Sequence, residues 1–187
     1  MTDPVTDAQI VAESLRHPEA FSRLFDRHHD RIHAFASRRL GADAAADVAS
    51  ETFLVAFRRR GSYDTSYSDA APWLYGIAVR VALAHWRSER RLLRAPEVHE
   101  PPDDDPHAVV DGRLTSAERR TLRHALAGLR RADRDALTLY ALAGLSYEEV
   151  AQALGVAPGT VASRISRARA RLAAQLPGRH PAPGTTT

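Results

Sequence analysis

The sequence predicts an all-α protein, and three observations carry that expectation. Apolar residues recur at three- and four-residue spacing along most of the 187 positions. No stretch alternates like a strand for long. Glycines, prolines and Ser/Thr-x-x-Glu pairs stand where the periodic segments begin and end.

The elements follow in order. Phe21, Leu24, Phe25, Ile32 and Phe35 fall on one helical face, and Gly41 ends that helix. A second helix is expected from about Asp43 to Arg60, with Val48, Thr52 and Val55 inward. "GSYDTSYSDAAP" is loop by its Gly, Ser, Asp and Pro content. A third long helix starts at Pro72, a residue tolerated in a first turn, and runs to about Arg94. Trp73 shares a face with Ile77, which makes it a core residue; Trp86 is read the same way. Then comes "APEVHEPPDDDPHAVVDG", with four prolines, clustered acids and no helical period. Thr115 with Glu118 and Ser146 with Glu149 have capping-box spacing, so helices should start near 116 and 147. Leu122, Leu126 and Leu129 stripe the first of these. "DRDALTLYALAG" makes another helix, closed by Gly144. The tail is rich in proline and threonine and should fray. The expected architecture is therefore two small helical domains, 14–94 and 116–175. A flexible acidic linker over 95–115 joins them, and a disordered tail occupies 176–187.

Composition narrows the function. Cysteine is absent, which excludes disulfides, thiol catalysis and cysteine zinc sites. No run of 18 apolar residues occurs, so no membrane insertion is expected, and the N-terminus shows no secretion signal. A cytoplasmic protein is the default. All 26 basic residues are arginine. Residues 1–94 carry net +2, 95–117 net −5 and 118–187 net +6, which suggests three environments.

The most informative stretch is "GVAPGTVASRISRARARL", residues 155–172. Ala151, Gly155 and Val161 are spaced as a helix-turn-helix requires: a small residue for close crossing, a glycine for the left-handed turn, a branched residue between the helices. Val161, Ile165, Ala168 and Leu172 point inward. Thr160, Ser163, Arg164, Arg167, Arg169 and Arg171 are left on exposed faces, suited to a DNA major groove. Pro158 and Gly159 begin this helix, where free N–H groups can meet a phosphate.

Several stretches in order, "HPEAFSRLFDRH", "DAAADVASETFLVAF", "APWLYGIAVRVALAHWRSERR" and "GLSYEEVAQALGVAPGTVASRISRARARL", resemble the extracytoplasmic-function sigma factors of the sigma-70 family. The resemblance spans roughly 14–94 and 116–175. It implies an RNA polymerase initiation factor without catalysis, cofactor or metal. The acidic stripe Asp43, Asp47 and Glu51, spaced i, i+4, i+8, would dock on the clamp coiled coil of the largest subunit of core RNA polymerase. Tyr63 and Tyr67 would lie in the loop that captures a flipped base of the minus-ten element. Arg80, Arg87, Arg91 and Arg94 would track promoter DNA there. Pro158, Gly159, Thr160, Ser163, Arg164, Arg167 and Arg171 would meet the minus-35 element, with the flap of the second-largest subunit as a further partner. The acidic linker, through Asp103, Asp104 and Asp105, would mimic nucleic acid in the polymerase channels or act as a spacer. An anti-sigma factor is a further partner the family implies. Three positions depart from the family's usual residues. Arg80 replaces asparagine and has no acceptor for base reading, so phosphate contact is expected there. Ala84 replaces aspartate and Ala162 replaces lysine.

Two other readings compete. His29 and His33, at i, i+4 with Asp30 between, have metal-ligand spacing, but no third ligand stands at a recognisable distance. A stand-alone regulator of the response-regulator output type shares the "SYEEVA" pattern, yet its receiver domain needs a lysine and strands.

Overall fold

The structure, a computed structural model, describes residues 5–92 and 116–175, with the helix backbone alone at 86–92, 116–120 and 123. The linker, the tail, Thr115 and Arg94 lie outside the described residues, as do the side chains of Trp86, Arg87, Arg91 and Glu118. Every regular element described is helical: α1 Asp7–Ser14, α2 Ser22–Leu40, α3 Ala42–Arg59, α4 Ala71–Leu92, α5 Ser116–Ala127, α6 Arg131–Ala143, α7 Tyr147–Leu154 and α8 Pro158–Gln175.

Helix α1 is an addition to the expected set. Thr6 and Gln9 form a reciprocal capping box: the Thr6 hydroxyl accepts from the Gln9 N–H, and Gln9 Oε1 accepts from the Thr6 N–H. Ile10 and Val11 enter the core, so the N-terminal unit begins before residue 14. The other starts and stops lie within two residues of their expected places. Gly41 separates α2 from α3 with φ +96, and Gly144 closes α6. The Ser146–Glu149 capping box is formed in full.

Leu24, Ile32, Phe35, Phe53 and Leu74 are at most 5% exposed and bring α2, α3 and α4 together. Phe35 meets Tyr75 edge-on at 5.2 Å. Phe25 differs from expectation. It is 38% exposed and lies against the rings of Phe53 and His29, one position around α2 from the fully buried Leu24. In the C-terminal unit, Leu139, Leu145, Val150, Val161 and Ile165 join α6, α7 and α8.

These two units are not separate in the structure. One apolar cluster runs from Ile10 and Phe35 through Leu74 and Ile77 to Val150, Ala153 and Ile165. Gly76, inside α4, makes the approach possible. A Cβ there would stand 2.3 Å from the Ala153 carbonyl oxygen on α7. Around this contact Arg38 Nη2 donates to the Leu142 carbonyl at 2.8 Å. Arg39 Nη2 meets Asp135 Oδ1 at 2.8 Å, with both side chains at most 12% exposed.

Candidate functional site

The acidic stripe forms as its spacing requires. Asp43, Asp47 and Glu51 lie on α3 and all are exposed. Between α3 and α4 runs a groove of about 720 Å³. Asp47 and Glu51 line one wall; Ile77, Arg80 and Val81 line the other. Leu54 opens onto it at 42% exposure, an apolar side chain in water one turn beyond Glu51. Sequence reasoning missed Leu54. Its signal was an apolar residue in register with the acidic face rather than with Val48 and Thr52.

The two loop tyrosines part. Tyr63 is 7% exposed, packs its ring at a tilt against Trp73 at 5.1 Å and donates its hydroxyl to the Tyr67 carbonyl at 2.6 Å. Burial, then the charges of Asp7, Asp69 and Asp64, push its phenol well above the usual range. Its ring is enclosed, so it shapes the loop from within. Tyr67 is 46% exposed and is the loop aromatic that faces solvent. Asp64 folds the loop tip by accepting from the Ser66 N–H at 3.0 Å, and that bond lowers its pKa.

Arg80 is exposed but belongs to the groove and to the inter-unit contact: its Nη2 approaches the Ala153 carbonyl at 3.5 Å. Arg87 and Arg91 lie on the same helix, α4, further along.

The helix-turn-helix is built as its spacing predicts. Gly155 has φ +66, the left-handed turn that only glycine adopts without strain. Val161, Ile165 and Ala168 are fully buried, and Leu172 is half-buried. Pro158, Gly159, Thr160, Ser163, Arg167 and Arg171 are exposed; Arg164 is half-buried. The Thr160 and Val161 N–H groups both turn to the Ala157 carbonyl, at 2.9 and 3.3 Å. Arg167 is held from behind: its Nη2 meets Asp133 Oδ1 at 2.9 Å. Arg169 lies over the Tyr140 ring at 5.1 Å.

The His29 ring lies beside Phe25 and Phe53 and 5.9 Å from the His33 ring, and its Nδ1 meets Asp30 Oδ1 at 3.1 Å. No helix among the described residues is long and apolar enough to cross a membrane.

An acidic helix edge, an aromatic loop and an arginine-faced helix-turn-helix thus lie in one chain in that order. Residues 24–92 match sigma-70 region 2 and residues 119–172 match sigma-70 region 4. The chain is 35% identical over 176 residues to the ECF RNA polymerase sigma factor SigM of Mycobacterium tuberculosis, covering 91% of this chain and 85% of that one. The chain belongs to the sigma-70 family, as a sigma factor of the extracytoplasmic-function type. It is also 33% identical over 168 residues to the ECF RNA polymerase sigma factor BldN of Streptomyces coelicolor, where 85% of this chain matches 61% of that protein's length. Among solved structures, the sigma factor RpoE from Bartonella quintana, in complex with the anti-sigma factor NepR, superposes with a TM-score of 0.60. The identity is 25%, over 86% of this chain and 98% of that chain. Region 2 of this sigma factor thus comprises α2–α4, and region 4 comprises α5–α8.

Proposed function

We propose that this sigma factor docks on core RNA polymerase through the exposed edge of α3, and that it directs initiation at promoters read by the loop before α4 and by α8. The observation that carries the reading is the composition of that edge. Asp43, Asp47 and Glu51 are exposed along one helix, and Asp47 and Glu51 line a groove together with an exposed Leu54. A row of carboxylates around one apolar anchor suits a helical partner bearing arginines. The clamp coiled coil of the largest subunit is the partner that family membership supplies.

The DNA assignments follow the same logic. Tyr67 offers a ring to a base extruded from the minus-ten element, a contact worth about 1–3 kcal/mol in single-strand binding. By family resemblance Arg87, Arg91 and Arg94 are assigned to the phosphates of the same promoter element. On α8, Thr160, Ser163, Arg164 and Arg171 face a major groove at the minus-35 element, with Arg167 available once Asp133 releases it. The polymerase flap is the second docking partner, an anti-sigma factor is the regulator, and the cytoplasm is the place of action. Each small DNA surface is weak alone; tethering both on polymerase multiplies them through effective concentration.

The test is co-migration of the purified chain with core polymerase lacking its own sigma. Asp47→Arg with Glu51→Arg, both at exposed positions, should abolish co-migration while the thermal midpoint stays put. A folded double variant that still co-migrates would move the docking surface away from α3.

A further inference from the structure

One buried polar cluster is used by none of the surfaces described above. Asp7, in the first turn of α1, is 3% exposed, and both oxygens of its carboxylate are hydrogen-bonded. Oδ2 accepts from His28 Nε2 at 2.7 Å and from the Ala70 N–H at 2.9 Å. Oδ1 accepts from Arg27 Nη1 at 2.5 Å. The Asp7 N–H donates to the Ser68 carbonyl at 3.0 Å. His28 is as buried as Asp7.

The partners show what the cluster does. Ser68 and Ala70 are the last residues of the loop that carries Tyr67, and α4 starts at Ala71. At the other end of α1, the Ser14 carbonyl accepts from Arg60 Nε at 3.2 Å, where the same loop begins. Leu15 Cδ2 packs toward Gly61. Helix α1 therefore holds both ends of one loop, through the Asp7 carboxylate and N–H at its start and the Ser14 carbonyl at its end. Between the grips, the Tyr63 hydroxyl holds the Tyr67 carbonyl, so the backbone of Tyr67 is fixed while its ring stays in water.

A cation site is the rival explanation, because Asp7, His28 and Asp69 offer ligand atoms within 4.8 Å of one another. Chemistry decides against it. The Asp7 oxygens already accept from a guanidinium, an imidazole and a backbone N–H, and a metal ion would have to displace them beside the positive charge of Arg27.

We infer that α1 is a brace for the promoter-reading loop, and that Asp7 and His28 are positioning residues that set the minus-ten base preference without touching DNA. This rests on the reading that the loop meets the minus-ten element. A loop that must receive an extruded base gains selectivity from being held in shape beforehand, since a slack loop accommodates any base. Asp7→Asn tests the brace with almost no change of volume. Asparagine puts an NH2 against either the Ala70 N–H or Arg27, donor facing donor, and removes the charge that pairs with Arg27.

The experiment uses full-length protein reconstituted with core polymerase. The template is a library of promoter duplexes randomised at both the minus-ten and minus-35 positions, read by sequencing the transcripts. Asp7→Asn should flatten the preference at the minus-ten positions facing the loop by about tenfold, the loss of one hydrogen bond to a charged group. The minus-35 preference and core binding should be unchanged. His28→Gln, which keeps the Asp7–Ala70 bond, should flatten the same positions less; it stands in should Asp7→Asn not fold. A parallel fall at minus-ten and minus-35 would reduce α1 to a general stabiliser and overturn the inference. Tyr67→Ala separates the two layers. If Tyr67→Ala flattens the minus-ten preference and Asp7→Asn does not, the brace is refuted and the loop reading stands. If neither does, the loop reading fails and takes the brace with it.

Discussion

Alanine at Gly76 should act with opposite signs on α4 and on the contact between the two units. Inside a helix, Gly→Ala ordinarily stabilises by about 0.5–1 kcal/mol through backbone entropy. At Gly76 the new Cβ would stand 2.3 Å from the Ala153 oxygen and 3.1 Å from its carbonyl carbon, both backbone atoms that no rotamer can move aside. An unstrained C···O contact is about 3.3–3.6 Å, so α7 would have to retreat by about 1 Å. A gap of about 0.5–1 Å forfeits a quarter to a half of the dispersion well for the atoms facing it. The Arg80–Ala153 contact, already at 3.5 Å, would be lost as well.

The expected result is a more stable α4 and a looser junction. The chain contains no cysteine, so Ala46→Cys on α3 and Ala170→Cys on α8, both exposed, give label sites without background. In Gly76→Ala the distance distribution between those labels should broaden and lengthen. Amide exchange should accelerate in α7 and slow in the first turns of α4. An unchanged distance distribution together with higher stability would show that α7 does not press on Gly76 in solution, and the argument from close approach would be wrong.

Three further outcomes follow from individual contacts. Burial alone would raise the Asp7 carboxyl, but His28, the Ala70 N–H and Arg27 outweigh it and hold its pKa at about 2, against 3.8 when unperturbed. The depressed value stabilises the fold above the unfolded pKa, and about 2 kcal/mol should be lost as pH falls from about 5 to about 2. Asp7→Asn should remove that acid limb in urea titrations; an identical slope in both proteins would place it on another carboxylate. Asp135→Ala strands the Arg39 guanidinium, whose Nη1 already lacks a partner among the described residues, and should weaken the inter-unit contact by about 3 kcal/mol. Replacing both residues by leucine should restore much of it, as read by the same labels; a silent Asp135→Ala would mean that Arg39 finds water. Asp133→Asn should free Arg167 and steepen the salt dependence of duplex binding by about one unit of log–log slope. If the slope does not move, Arg167 reaches phosphate in spite of Asp133.

What the sequence disclosed was whatever depends on neighbours within a turn or two. The Ser146–Glu149 box, the left-handed Gly155 and the 4-3-4 spacing of Val161, Ile165, Ala168 and Leu172 are local rules, and the helix-turn-helix obeys all of them. The Asp43–Asp47–Glu51 stripe is likewise a property of one helix face. Helix α1 escaped because eight residues are too few for a period to stand out, although "TDAQ" carried its capping box in plain view. Asp7 was invisible for another reason. A carboxylate in a first turn reads as a solvated, dipole-favoured acid, and only tertiary structure brings His28, Arg27 and Ala70 around it.

The junction between the units was hidden differently. Read along one helix, Gly76 is an ordinary weak point and Arg80 an ordinary exposed cation. Yet positions 74–79 are buried without a break, which no helix with one covered side can be. α2 and α3 cover part of α4, and α7 covers much of the rest. Six consecutive buried positions in a helix, with a glycine at the point of closest approach, mark a helix covered on more than one side. The second partner is non-local, more than seventy residues away in the chain, and no pattern within α4 names it. The consequence is physical. The same helix holds Gly76 and Arg80 against α7 and, two to three turns on, carries Arg87 and Arg91. Any force that lifts α7 off α4 therefore also changes what surrounds the helix leading to those arginines.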